Sequence, residues 1–79
     1  MFLERVKVIE HKPDGTDAVI KEQTWSSAYG NTKWPSVFVR NSYKELVGQN
    51  IEVDISGATW KLDSPDGHYS WVATWESAI

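Results

Sequence analysis

The side chains able to do chemistry in this chain are few, and several gather around one repeated string. His11 and His68 are the only imidazoles, each beside a Pro-Asp-Gly turn: Lys12-Pro13-Asp14-Gly15-Thr16 and Ser64-Pro65-Asp66-Gly67-His68. A zinc site needs about four converging ligands. The chain has no Cys and no His pair at helical spacing, so no metal is expected. Ser, His and Asp all occur, but a nucleophilic triad is defined by geometry rather than by presence, and no Gly-x-Ser-x-Gly string appears. The glycines at 15, 30, 48, 57 and 67 stand singly, so no phosphate-cradling loop is legible. Glu52 and Asp54 share a face of a strand-like stretch, an arrangement open to general acid–base work. The same pattern is ordinary solvation of an amphipathic strand, and that reading is adopted here. The chain is therefore read as non-catalytic, with no cofactor.

The aromatic residues carry more information. Five Trp, three Tyr and two Phe occur in 79 residues, and each aromatic can bury roughly 150–250 Å². In so short a chain they substitute for disulfides or metals in filling a core. Trp60 falls on the apolar side of the segment before the second turn, while Trp25 and Trp34 flank the stretch from Ser26 to Pro35, which contains Tyr29 and reads as the longest loop. Those three are expected in or over the core. Tyr69, Trp71 and Trp75 instead share a predicted face with Lys61 and Asp63. Two readings of that face stay open: a second layer covers it, or it is an aromatic patch offered to a partner. Lys61, Asp63, Tyr69, Trp71 and Trp75 are accordingly the candidate binding residues.

These placements rest on the elements around the turns. In each turn Pro presets the first position, Asp suits the second, and Gly accepts the positive φ of a type I turn followed by a bulge. For the first hairpin that geometry predicts Lys12 opposite Thr16, Val8 opposite Ile20 and Val6 opposite Glu22, with Val6, Val8, Ala18 and Ile20 on one face. Arg5, Lys7, Lys21 and Gln23 then share the other face, where Lys7 opposite Lys21 is mildly unfavourable. For the second hairpin it predicts Ser64 opposite His68, Trp60 opposite Val72 and Ala58 opposite Thr74. Ala58, Trp60, Leu62 and Val72 then point inward, and Thr59, Lys61, Asp63, Tyr69, Trp71, Ala73 and Trp75 point the other way. Beyond the shared turn string, nothing supports a duplicated unit.

Between the hairpins, Ile51-Glu52-Val53-Asp54-Ile55 alternates with period two and predicts a strand with Ile51, Val53 and Ile55 inward. Val37-Phe38-Val39 predicts a short strand, and Ser42–Val47, with Ser42 as cap and Gly48 as terminator, predicts a helical turn or two. The expected fold is one mainly β domain (β or α+β) over residues 1–79, a small antiparallel sheet or partly open barrel of five to six strands with one short helix. An OB-like or SH3-like barrel has a similar order. Val37–Val39, Gly48 and Ile51–Val53, read as strand, short helix ending in Gly, then strand, resemble the swapped-hairpin repressors related to the AbrB family. The likeness covers that stretch alone, and Arg40-Asn41 stands where those domains carry a basic Pro-Lys pair. No family assignment follows from it.

Eight Lys and Arg against eleven Asp and Glu give a formal charge of −3, with neither sign in a block, which disfavours binding to nucleic-acid phosphates. No apolar run of signal-peptide or membrane-spanning length occurs, so the cytoplasm is the default expectation. The reading that best fits is a non-catalytic protein–protein interaction domain, or a small viral, phage-type inhibitor, using the aromatic face. Trp and Tyr are the residues enriched at interface hot spots. A module that stacks single-stranded nucleic acid or carbohydrate is one alternative, and a structural homodimer is the other.

Overall fold

Two hairpins separated by a helix make up the regular structure of the computed structural model, which describes residues 2–27, 33–53, 55 and 59–77. The elements are β1 (Phe2–His11), β2 (Asp17–Ser27), α1 (Lys33–Val47), β3 (Thr59–Asp63) and β4 (Tyr69–Ser77). The fold is mainly β, as the composition of the turn-flanking segments implies. Its four strands form one open antiparallel sheet in the order β2-β1-β4-β3. The two hairpins thus lie side by side through β1 and β4, with both tips at the same end, where the His11 amide donates to the His68 carbonyl at 2.8 Å. The expected barrel and its fifth and sixth strands are not found among the described residues.

Both turns have the anticipated Gly conformation, with φ of 88° at Gly15 and 73° at Gly67, yet they close differently. In the first, the Lys12 amide donates to the Thr16 carbonyl, as expected. In the second, the Ser64 amide donates to the carbonyl of Tyr69, and the Ser64 hydroxyl accepts the Tyr69 amide at 2.9 Å. His68 is thereby absorbed into the loop. Lys12, at the equivalent position, has no side-chain acceptor and cannot make that capture. Each turn Asp receives local hydrogen bonds. The Thr16 hydroxyl and amide hold the Asp14 carboxyl below its usual range, and the His68 amide and Ser64 hydroxyl do the same for Asp66.

The one-residue difference in the second turn moves every pair in that hairpin. Trp60 lies opposite Ala73, not Val72, and Leu62 opposite Trp71. Tyr69, Trp71, Ala73 and Trp75 therefore share a face with Trp60 and Leu62, while Val72 joins Thr59, Lys61 and Asp63 on the other face. Ala58 lies outside the described residues. The first hairpin keeps the predicted register from His11 opposite Asp17 to Ile9 opposite Val19, then shifts between Val8 and Ile9. Ile20 is the extra residue of this bulge, so Val8 lies opposite Lys21 and Val6 opposite Gln23. The shift removes the like-charge pair of the regular register, because Lys7 now lies opposite Glu22.

Residues 37–39, expected as a strand, lie inside α1. Their β-branched character is outweighed by a longer helical spacing that buries Pro35, Val39, Ser42 and Tyr43 along one stripe. Pro35 falls in the first turn, where its missing N–H costs little, and Gly48, at φ 82°, ends the helix by donating its amide to the Lys44 carbonyl at 2.9 Å. Ser42 is not a cap. It sits mid-helix, its hydroxyl returning a bond to the Phe38 carbonyl at 2.7 Å. Residues 51–53 and 55 belong to no strand, although Ile51 and Val53 are half-buried, Ile55 is buried and Glu52 is exposed, the alternation the sequence predicts. This segment adds its apolar side chains to the core without joining the ladder. Asp54, and with it the Glu52–Asp54 face, lies outside the described residues. With 37–39 helical and 51–53 irregular, the strand–helix–strand resemblance to the AbrB-related repressors falls away.

One core results, on the α1 side of the sheet. Val6 and Val8 of β1, Trp71 and Ala73 of β4, Val39 and Tyr43 of α1, and Ile55 are its buried apolar members. Trp25 packs at its margin, edge-on to Phe38 with ring centroids 5.6 Å apart, as the core reading of that Trp requires. Trp34, by contrast, is 55% exposed.

Candidate functional site

The five residues proposed from sequence as a binding face are divided by the sheet. Tyr69, Trp71 and Trp75 point toward α1, whereas Lys61 and Asp63 point to the opposite, uncovered side. Trp71 is fully buried. Its ring lies 5.1 Å from that of Tyr43, and its indole N–H donates to the Ser42 hydroxyl at 2.9 Å, so the one polar atom of the side chain is satisfied inside the core. Tyr69 and Trp75 are half-buried beside it. The single face on which both readings rested does not form, and Trp71 is not available as surface.

The uncovered face is built from the alternate residues of the same strands. Across it run the rows Thr24–Arg5–Thr74–Thr59, Glu22–Lys7–Val72–Lys61 and Val19–Ile9–Ser70–Asp63, in the strand order of the sheet. Val19, Ile9 and Val72 form an apolar diagonal, and Val19 is 51% exposed. Charges of both signs border it. Arg5 contacts Glu22 at 3.6 Å and donates to the Thr24 hydroxyl at 3.3 Å, and Lys61 lies 3.9 Å from Asp63. No described strand residue on this side is Phe, Tyr or Trp.

At the turn end of that face a polar chain crosses all four strands. The Asp17 carboxylate (β2) meets His11 Nδ1 (β1) at 2.7 Å, His11 Nε2 meets the Ser70 hydroxyl (β4) at 2.7 Å, and Ser70 donates to Asp63 (β3) at 2.6 Å. The first three members have the connectivity of an Asp-His-Ser triad. Their environment does not suit attack on a substrate. Ser70 is 2% exposed, and its hydroxyl hydrogen is directed to a second carboxylate rather than to the imidazole. What the arrangement does is tie neighbouring strands together on a face over which no described element packs. The turn chemistry shows His11 opposite Asp17, but its contact with Ser70 depends on the β1–β4 pairing, for which the sequence carries no local signal, and Asp63 opposite Ser70 on the shifted register of the second hairpin.

On the α1 side of the same end, His68 Nε2 lies 3.2 Å from the Glu10 carboxylate, and the His68 ring stands edge-on to Tyr69 at 4.4 Å. Both histidines thus contact carboxylates. No group of three or more His, Cys, Asp or Glu side chains that could hold a metal occurs among the described residues. A cleft lined by Glu4, Pro35, Ile55 and Trp75, among others, has a free volume of about 10 Å³, room for about one water and far below that of a small-molecule site. No helix among the described residues is long and apolar enough to cross a membrane. Comparison with protein families, with curated proteins and with solved structures finds no match to this chain.

Proposed function

We propose that this chain is a non-catalytic protein-binding module whose contact surface is the uncovered face of the sheet. The observation that carries the reading is the apolar diagonal Val19–Ile9–Val72, open to solvent at Val19 and bordered by Lys7, Lys61 and Glu22. An apolar centre with a charged rim is the usual anatomy of a protein interface. The partner that suits it presents an apolar side chain to the diagonal and an acidic group to Lys7. Stacking of single-stranded nucleic acid or of sugars lacks support here, since no described strand residue of this face is Phe, Tyr or Trp.

The test is capture of the native partner with the wild-type chain and with Val19→Asp and Val72→Asp, each checked for an unchanged circular dichroism spectrum. Loss of affinity by about tenfold or more in the two variants supports the reading, because a charge placed in the apolar centre must be desolvated on binding. Undiminished capture by both contradicts it. Sedimentation equilibrium of the same proteins identifies the homodimer alternative, in which wild type is a dimer and Val19→Asp a monomer.

A further inference from the structure

We infer that the chain Asp17–His11–Ser70–Asp63 is a proton-operated fastening, closed in mild acid by an imidazolium at His11 and partly opened when that ring loses a proton. The inference follows from counting hydrogens. A carboxylate accepts and cannot donate, and a Ser hydroxyl has a single hydrogen. The Ser70 hydrogen goes to Asp63, at 2.6 Å. The 2.7 Å contact between Ser70 and His11 Nε2 therefore needs the hydrogen to come from the ring. The 2.7 Å contact between His11 Nδ1 and Asp17 needs the same, since Asp17 has none to give. Both ring nitrogens carry hydrogen when all three bonds are made, and that ring is the cation.

A neutral ring leaves one link short. If Nδ1 keeps its hydrogen for Asp17, the Ser70 hydroxyl turns from Asp63 to Nε2, and the side-chain tie between β4 and β3 is lost. If Nε2 keeps it, Asp17 on β2 is released. The charged groups that face His11 are Asp17 on β2 directly and Asp63 on β3 through Ser70 on β4, with Lys61 3.9 Å from Asp63. Lys12 and Asp14 follow in the turn, and Glu10 and His68 form their own pair on the α1 side of the sheet. Closing the chain takes up a proton, so by linkage the stability it contributes is greater in mild acid than in mild alkali.

Ring nitrogen NMR and urea unfolding of the full chain, at about pH 5.5 and about pH 8, test this. The expected result has His11 protonated on both ring nitrogens at the lower pH and a folding equilibrium constant about tenfold larger there, a modest figure because His11 and both carboxylates are partly exposed. His11→Gln removes most of that difference. Ser70→Ala removes part of it, since the Asp17 contact survives. A neutral His11 ring at about pH 5.5, or a pH dependence unchanged in His11→Gln, overturns the inference. Should His11→Gln fail to fold, the wild-type ring spectrum decides.

Discussion

The two faces of this sheet are made by the same strands and held by different physics. Toward α1, β1 and β4 present Val6, Val8, Trp71 and Ala73, all buried, and the layer closes on Val39 and Tyr43 by apolar packing. Away from α1, the intervening residues Arg5, Lys7, Ile9 and Val72 are half-buried, and the one deeply buried side chain among them is Ser70, enclosed by hydrogen bonds rather than by a second layer. Among the described residues, one helix packs on the sheet, and it covers one face. The other side is held by cross-strand polar contacts, with charged side chains at its rim.

Substitutions on the covered face are expected to be the most damaging. Trp71→Ala should cost about 3–5 kcal/mol as a core truncation, read from urea melts; a cost below about 1 kcal/mol would mean that the two faces do not differ as described. Ser42→Ala leaves the buried Trp71 indole N–H without its partner and should cost about 1–3 kcal/mol, with Ser42→Thr costing less if the hydroxyl is the cause. At the hairpin tips, Gly67→Ala should cost about 1–2 kcal/mol through backbone strain alone, because a Cβ at Gly67 meets nothing within 4 Å. Lys61→Ala, on the uncovered side, should change stability by no more than about 0.5 kcal/mol. Acid adds a final contrast. Asp14 and Asp66 titrate below the usual carboxylate range in the folded chain, so the stability they contribute is present above about pH 4 and is lost as pH falls through their lowered values. A melt series from neutral pH downward should therefore show the turns weakening only in acid, below about pH 4, and Asp14→Asn should blunt that fall.

Much of this contrast is written in the chain, though not in the form in which local rules read it. The turn strings place both hairpins, and His11 opposite Asp17 follows from the first. The fate of Trp71 turns on whether the second loop holds three residues or four, and that depends on Ser64, whose hydroxyl captures the Tyr69 amide. A side-chain capture of this kind is a tertiary detail that turn propensity does not encode. The bulge at Ile20 is likewise invisible to a period-two pattern, although the Lys7–Lys21 clash in the regular register is a signal that something relieves it. Val37–Val39 misleads because three residues cannot distinguish strand from helix, whereas the longer spacing of Pro35, Val39, Tyr43 and Leu46 can. The alternation Tyr69, Trp71, Ala73, Trp75 is itself the pattern of a half-buried strand. Read alone, without the turn-imposed register, it places these aromatics in the core.

The account stands most directly on the position of the Trp71 side chain, and hydrogen exchange at its indole nitrogen measures that position. The buried N–H, donated to Ser42 beneath α1, should exchange only through opening of the core, with protection approaching the global stability. Exchange at the rate of a free indole would place Trp71 at the surface and contradict the assignment of the two faces.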